Sequence, residues 1–144
     1  QATYLVKSNS KISKIEDVDI EGKTISVADR TAYGLWLERN IKNAKLLAID
    51  GFENSVDNFI NKNLDALAGL RPQLMETVNT INDSKLLEGY FMSVQQAIGT
   101  SKENLKASKY IADFVENMKA NGFVKKLILK HNVDGKLSVA KLSS

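Results

Sequence analysis

Short apolar runs that alternate with amphipathic stretches are the feature of this sequence that most constrains its fold. The runs predict strands at Thr3–Lys7, Thr24–Ala28, Ala44–Ile49 and Leu64–Leu70. The stretches between them have helical spacing and predict helices at 12–18, 32–41 and 52–61, with another opening at Pro72 and running to 81. This alternation is typical of an α/β domain with a mostly parallel sheet flanked by helices.

The last third of the chain has a different character. Two further strands are predicted at Lys85–Leu87 and Met92–Ile98, and two consecutive helices follow at Asn104–Asn121 and Phe123–His131. An Asn-Gly pair separates the helices, which is a common way to end a helix. The change of pattern after residue 98 indicates an architectural boundary.

Composition excludes several classes of protein. The chain has 144 residues, 43% of them hydrophobic, enough for one typical domain with a core, or one domain and part of another. It has no cysteine, so disulfides, thiol nucleophiles and thiolate metal sites are excluded. The net charge of +3 is small and the lysines are spread along the chain, so nucleic acid is not expected as a partner. No apolar run is long enough to span a bilayer.

The corners that follow the predicted strands are where a ligand is expected, because α/β sheets bind ligands beyond the carboxyl ends of their strands. One corner reads Asp29-Arg30-Thr31 and opens a helix. Two interpretations compete. Thr31 can simply cap the helix while the charges are solvated, and the residues alone favour this. Alternatively, the helix amides, the hydroxyl and the guanidinium converge on one anion.

Catalytic signals are few. His131 is the only histidine and lies at the end of the last predicted helix, where a C-terminal capping role is the simpler interpretation. The sequence has no Ser-His-Asp set and no metal-ligand cluster. Asp50 ends a strand as in phospho-receiver domains, but the first strand is not followed by the acidic pair that such domains need. No covalent chemistry, metal or cofactor is therefore predicted.

The order and spacing of three segments resemble a known family. These are "YLVKSNSKISKIEDVDIEGKTISVADRTAYGLWLERN", "NSVDNFINKNLDALAG" and "YFMSVQQAIGTSKENLKASKYIADFVENMKANGFVKKLILKHNV". Together they cover nearly the whole chain and resemble the second lobe and ending of periplasmic solute-binding proteins of type 2, family 3. These proteins are the polar amino-acid receptors of ABC importers.

The resemblance implies how the chain is organised. Residues 1–93 would form the second lobe, a mostly parallel sheet flanked by helices. Residues 94–144 would supply a strand returning across the hinge and C-terminal helices that belong to an incomplete first lobe. The chain is then expected to be part of a longer periplasmic protein whose signal peptide is not in this sequence. Exposed apolar surface on the last two helices would favour self-association or a missing partner segment.

The resemblance also gives the Asp29-Arg30-Thr31 corner a role. In the family, a Gly-Thr-Thr corner holds the ligand's α-carboxylate with amides and hydroxyls. Thr31 matches the first threonine, while Arg30 replaces the glycine and Ala32 the second threonine. One hydroxyl is lost and a guanidinium is gained, so the anion-site interpretation is now preferred. Tyr33, in the first turn of the helix, is expected to line the cleft.

Other positions depart from the family pattern. Leu70 stands where the family has an acid that binds the ligand's ammonium group, and Arg71 follows it. The resemblance therefore implies either an anion that is not an amino acid or an unusual amino acid anchored from the other lobe. Arg71 is either a surface arginine in the first turn of a helix or, together with Arg30, a partner for a carboxylate, dicarboxylate or phosphonate-like group. Gln95, in the returning strand, is a candidate ligand donor, with packing at the edge of the strand ladder as the alternative. Asp65 is expected to be structural.

The expected function is binding of a small polar or anionic solute, amino-acid-like or a carboxylate, and its delivery to a permease of an ABC-type importer. Two alternatives use the same fold. One is a ligand-sensing domain of a membrane receptor kinase, and the other is an enzyme such as a dehydratase, to which no residue points.

Overall fold

The computed structural model describes residues 1–143 and divides the chain into two compact units, Gln1–Val94 and the residues from Gln95 onward. The first unit contains five strands: β1 (Ala2–Lys7), β2 (Thr24–Ala28), β3 (Lys45–Ile49), β4 (Ala66–Leu70) and β5 (Ser84–Leu86). Its helices are α1 (Ala32–Asn40), α2 (Phe52–Asn61) and α3 (Arg71–Thr80). The second unit contains α4 (Leu105–Ala120) and α5 (Phe123–Lys130).

The five strands form one sheet in the order β3-β2-β4-β1-β5. β2 pairs in parallel with β3 and β4, whereas β1 pairs antiparallel with both β4 and β5. All strands except β1 therefore run in the same direction. The prediction of an α/β fold with a mostly parallel sheet is confirmed.

Alternating side chains of the sheet build two separate core clusters, one on each face. Tyr4 and Val6 point to one face and join Leu37 of α1, while Leu5 points to the other and joins Phe59 of α2. All are 4% exposed or less. Burying one such side chain stabilises the fold by about 1.5–3 kcal/mol, so the sheet needs helices on both faces. Burial also raises the pKa of the Tyr4 phenol, and the nearby charge of Asp19 adds to this effect.

The second unit differs because none of its described residues, 95–143, is buried. α4 begins after Asn104, whose side chain accepts a hydrogen bond from the amide of Ala107 at 3.0 Å. Gly122 separates α4 from α5 in the left-handed conformation, with φ of 79°. Large apolar side chains stay exposed along both helices, among them Leu105, Tyr110 and Leu129. The described part of this unit therefore has no core of its own.

Two predicted elements are wrong in extent. The strand predicted at Met92–Ile98 is reduced to one antiparallel bridge between Met92 and Ala2. No regular structure follows at 93–98, because a strand forms only where a neighbour takes its backbone hydrogen bonds. The helix predicted at 12–18 is a single 3-10 turn at Ile15–Asp17. The Asp17 carboxylate accepts hydrogen bonds from the amides of Ser13 and Lys14, the two residues before the turn, and so takes up backbone donors that a longer helix would use.

The other predicted helices begin and end within a residue or two of their observed limits, which supports the periodicity argument. None of the helices in residues 1–143 has the length and apolar character needed to cross a bilayer.

Candidate functional site

Three helices begin at one edge of the sheet, here called the carboxyl edge, because β2, β3 and β4 end there. The edge is held together by backbone pairing: Ala28 lies opposite Ile49, and the amide of Asp29 donates to the Ile49 carbonyl at 2.7 Å. α1, α2 and α3 start within a few residues of these strand ends. The first N–H groups of each helix have no partner within the helix, and the helix dipoles favour negative charge there.

The corner that opens α1 has a left-handed residue. Arg30 has φ of 53°, a conformation that non-glycine residues rarely adopt. The Asp29 carboxylate supports it by accepting the Arg30 amide proton at 2.7 Å. The corner therefore depends on the Asp-Arg pair and not on a glycine.

Thr31 is the N-cap of α1. Its Oγ1 accepts a hydrogen bond from the amide of Gly34 at 3.0 Å and donates one to the Ala28 carbonyl at 2.8 Å. The cap predicted from sequence is therefore present. Because the hydroxyl proton is already donated to Ala28, the groups left to donate to an anion at this corner are backbone amides and the Arg30 guanidinium.

The Arg30 guanidinium lies close to two carboxylates as well as to solvent. Its Nε lies 3.3 Å from a carboxylate oxygen of Asp29, and its Nη2 lies 3.5 Å from one of Asp50, at the end of β3. The Arg30 side chain is 78% exposed and that of Asp50 is 91% exposed, so both pairs are weak and can exchange with a solute. From the sequence, Asp50 was considered only for phospho-receiver chemistry and not as a partner of Arg30. Its position at the end of a strand is the sequence signal that could have placed it at this edge of the sheet.

Ala32 and Tyr33 occupy the first turn of α1 in different environments. Ala32 is exposed, whereas Tyr33 is only 4% exposed and packs in the core. Burial raises the pKa of the Tyr33 phenol, and the neighbouring Thr31 hydroxyl partly opposes that increase. The Tyr33 ring is thus part of the core. The prediction that it lines a ligand cleft is wrong for the side chain. At this corner only its backbone amide can face a ligand.

Leu70 and Arg71 lie at the carboxyl edge where β4 ends. Leu70 is half-buried and packs against the core that contains Tyr4. The Arg71 amide donates to the Gln1 carbonyl at 2.9 Å, and its guanidinium Nη2 donates to the Gly89 carbonyl. Its Nε is buried with no partner among residues 1–143. Arg71 therefore ties the start of α3 to the loop after β5, and its role toward a ligand stays a prediction.

Gln95 falls in the second unit and is exposed. It lines a groove of about 510 Å³ between the irregular segment 95–102, one face of α4 and residues near the C-terminus. The returning strand in which it was predicted is absent, so its interpretation as packing at a strand edge is wrong, and its ligand role stays a prediction.

Asp65 has the structural role expected of it. Its carboxylate accepts hydrogen bonds from the Lys23 ammonium and the Thr24 amide, both at 2.9 Å, at the opposite edge of the sheet. Within residues 1–143, no three His, Cys, Asp or Glu side chains are grouped closely enough to hold a metal ion.

This architecture is the fold of the substrate-binding proteins of amino-acid ABC transporters. A mutant of ArgBP from T. maritima superimposes with a TM-score of 0.67 at 21% identity, over 90% of this chain and 56% of that one. An arginine third transport system periplasmic binding protein from Legionella pneumophila gives 0.62 at 19% identity, over 90% and 60% of the two chains. The chain thus spans less than two thirds of these proteins.

The isolated domain 2 of the T. maritima protein is also similar. It gives a TM-score of 0.55 at 19% identity, and the match covers 65% of this chain and all of that domain. Comparison with protein-family profiles gives no match, and sequence comparison with curated proteins gives none either.

Proposed function

We propose that the chain binds a small polar or anionic solute and presents it to an ABC-type importer. The observation that carries the proposal is that three helices begin at the carboxyl edge, where the exposed Arg30 guanidinium lies between the ends of β2 and β3, near Asp29 and Asp50. An anion placed there gains from unpaired amides, from helix dipoles and from a guanidinium that can bind a carboxylate with two hydrogen bonds.

In this proposal residues 1–93 are the second lobe of a two-lobe binding protein, and residues 94–144 return to the first lobe. Two observations support it. The match to an isolated domain 2 covers 65% of this chain, and the unit Gln1–Val94 is the same fraction of its 144 residues. The second unit has exposed apolar helices and no buried residue among those described, as expected of an element that packs on something else.

The solute's anionic group would bind at the corner of residues 29–33. The amides of Ala32 and Tyr33 would donate to it, and Arg30 would supply the charge after releasing its two weak carboxylate pairs. Leu70 offers no charge to an ammonium group, so carboxylates and other anions are favoured over a standard α-amino acid. Leu70 and Arg71 would contribute contacts around the rest of the solute, and Gln95, in the second unit, stays a candidate ligand donor.

The relatives of known structure suggest the setting. They include the substrate-binding protein of an amino-acid ABC transporter, the arginine transport system periplasmic binding protein from Legionella pneumophila, and an ancestral arginine-binding protein bound to glutamine. By analogy we place this chain in the periplasm, with a membrane permease as its partner. The exposed apolar side chains of α4 and α5 would also permit self-association. No catalytic step is part of the proposal.

A thermal-shift screen tests the proposal because a solute that binds only the folded state raises the melting temperature. Amino acids, dicarboxylates, phosphate and sulfate are compared on the unmodified chain, on Arg30→Ala and on Arg39→Ala. Arg39 is an exposed arginine in the last turn of α1 and controls for the loss of charge. We expect carboxylates to stabilise the chain and Arg30→Ala to weaken their binding by more than about tenfold. No shift with any anion, or equal shifts in both variants, would contradict the proposal.

A further inference from the structure

A second pocket lies at the other edge of the sheet, away from the carboxyl edge. It has a volume of about 280 Å³ and is lined by the lysines Lys7, Lys11 and Lys23, by the amide side chains Asn9 and Asn63, and by Asp65. The end of β1 lies at this edge together with the starts of β2 and β4, because β1 is antiparallel to the other strands. No residue of the proposed solute site contributes to it.

The charges that line this pocket do not balance. Asp65 is the only carboxylate in the lining, and it is already paired with the Lys23 ammonium at 2.9 Å and with the Thr24 amide at 2.9 Å. Lys7 and Lys11 form no ion pair with any carboxylate in residues 1–143. Two positive charges therefore remain uncompensated around one small cavity.

Hydrogen bonds hold the walls of the pocket in place. In the loop after β1, the Ser8 amide donates to the Asp83 carbonyl at 2.7 Å and the Ser10 amide to the Lys7 carbonyl at 2.9 Å. The Lys85 ammonium donates to the Ser10 carbonyl at 3.1 Å. On the facing side, Asn63 has a left-handed backbone with φ of 54°, and its amide donates to the Ile60 carbonyl at 3.2 Å. A ligand would thus find the lysine-bearing loop already ordered.

We propose that this pocket binds a phosphate group. Two uncompensated ammonium groups match the double negative charge of phosphate better than the single charge of a carboxylate, and lysine binds phosphate as a point charge. The side-chain amides of Asn9 and Asn63 can donate further hydrogen bonds. At about 280 Å³ the cavity lies just below the roughly 300–1,000 Å³ usual for drug-sized ligands, a size that suits inorganic phosphate or the phosphate of a small monoester. The proposal does not depend on the function proposed for the carboxyl edge.

A titration with inorganic phosphate, followed by amide NMR at constant ionic strength, tests the site. We expect saturable shifts at residues 7–11 and 63–65. The double variant Lys7→Gln and Lys11→Gln should bind about tenfold more weakly, because two charge-assisted contacts are lost. The control is Lys125→Gln with Lys126→Gln, two exposed lysines of α5, which removes the same charge elsewhere. Arg30→Ala should leave the shifts unchanged, so the two proposals fail separately.

Methyl phosphate forms a second arm of the titration. Equal binding of methyl phosphate and inorganic phosphate would identify a site open to monoesters, and preference for inorganic phosphate would identify a site for the free anion; either result supports the pocket. Lys11→Gln alone, which changes one exposed side chain, provides the test if the double variant unfolds. Absence of saturable shifts, or equal weakening in the α5 control, would overturn the proposal.

Discussion

A β-carbon added at Gly34 would lie 2.9 Å from the Oγ1 of Thr31 and 2.8 Å from the carbonyl oxygen of Ala28. These two atoms are the ones that form the cap of α1, since the Thr31 hydroxyl joins the Ala28 carbonyl to the Gly34 amide. The bare α-carbon of Gly34 therefore lets the helix start close against the end of β2. The geometry of the candidate anion site depends on this close approach.

Gly34→Ala should destabilise the protein by about 1–2 kcal/mol, because the new methyl group displaces the capping hydroxyl and overpacks the corner. This loss should exceed the gain of up to about 1 kcal/mol that alanine brings to a helix interior. Urea unfolding measures the difference. Gly99→Ala is the control, because its β-carbon would meet nothing within 4 Å. A Gly34→Ala protein at least as stable as the parent would contradict the argument.

Two replacements of Thr31 should distinguish the contribution of its capping hydroxyl to stability from the contribution of its side-chain volume. Thr31→Ser keeps the hydroxyl that bonds to Gly34 and Ala28, and we expect its free energy of unfolding to stay within about 0.5 kcal/mol of the parent. Thr31→Val keeps the volume but loses both hydrogen bonds, and we expect a loss of about 1–2 kcal/mol. Chemical denaturation of both variants provides the measurement. Equal stabilities would show that the hydroxyl contributes nothing.

Local patterns predicted most of the fold. α2 was placed at its observed limits, and Thr31 was identified as a cap because a hydroxyl residue stood just before an apolar helical stretch. The strand predicted at Met92–Ile98 failed for a physical reason. A local apolar run cannot reveal whether a neighbouring strand is present to pair with it.

The candidate site was less predictable than the fold. The approach of Arg30 to Asp50 joins residues twenty positions apart and depends on how β2 and β3 pair, which no local pattern specifies. The burial of Tyr33 likewise depends on which side of α1 packs on the sheet. The hydrogen bond from Arg71 to Gly89 crosses from one element to a distant loop and was also not foreseen.

The pair between Arg30 and Asp50 leads to a prediction opposite in sign to that for Arg30→Ala. Asp50→Asn should strengthen binding of a carboxylate at the carboxyl edge about threefold at low salt, because the guanidinium no longer shares its charge with that carboxylate. Isothermal titration with the best carboxylate from the thermal-shift screen measures the effect. Asp57→Asn, at an exposed position of α2, controls for the change in net charge. An equal gain in both variants would mean that the pair has no specific role.

Asp19 should make the free energy of unfolding depend on pH in the acidic range. Its carboxylate accepts the amide protons of Lys42, Asn43 and Ala44 in the turn between α1 and β3. Burial acts to raise the pKa of Asp19, but the three backbone hydrogen bonds outweigh it and hold the pKa below its ordinary value of 3.8. The folded state therefore binds the proton less readily than the unfolded state. The stabilisation is complete above the unfolded pKa and is lost as pH falls through the folded one.

Asp19→Asn should accordingly lower the free energy of unfolding near neutral pH, and the difference from the parent should shrink as the pH falls below about 4. Urea unfolding at a series of pH values gives both quantities. Asp57→Asn again supplies the control, because it removes a carboxylate that lies exposed on α2. A difference between Asp19→Asn and the parent that stayed constant with pH would contradict the argument. It would mean that the negative charge of Asp19, which accepts the three amide protons, does not contribute to the stability of the turn.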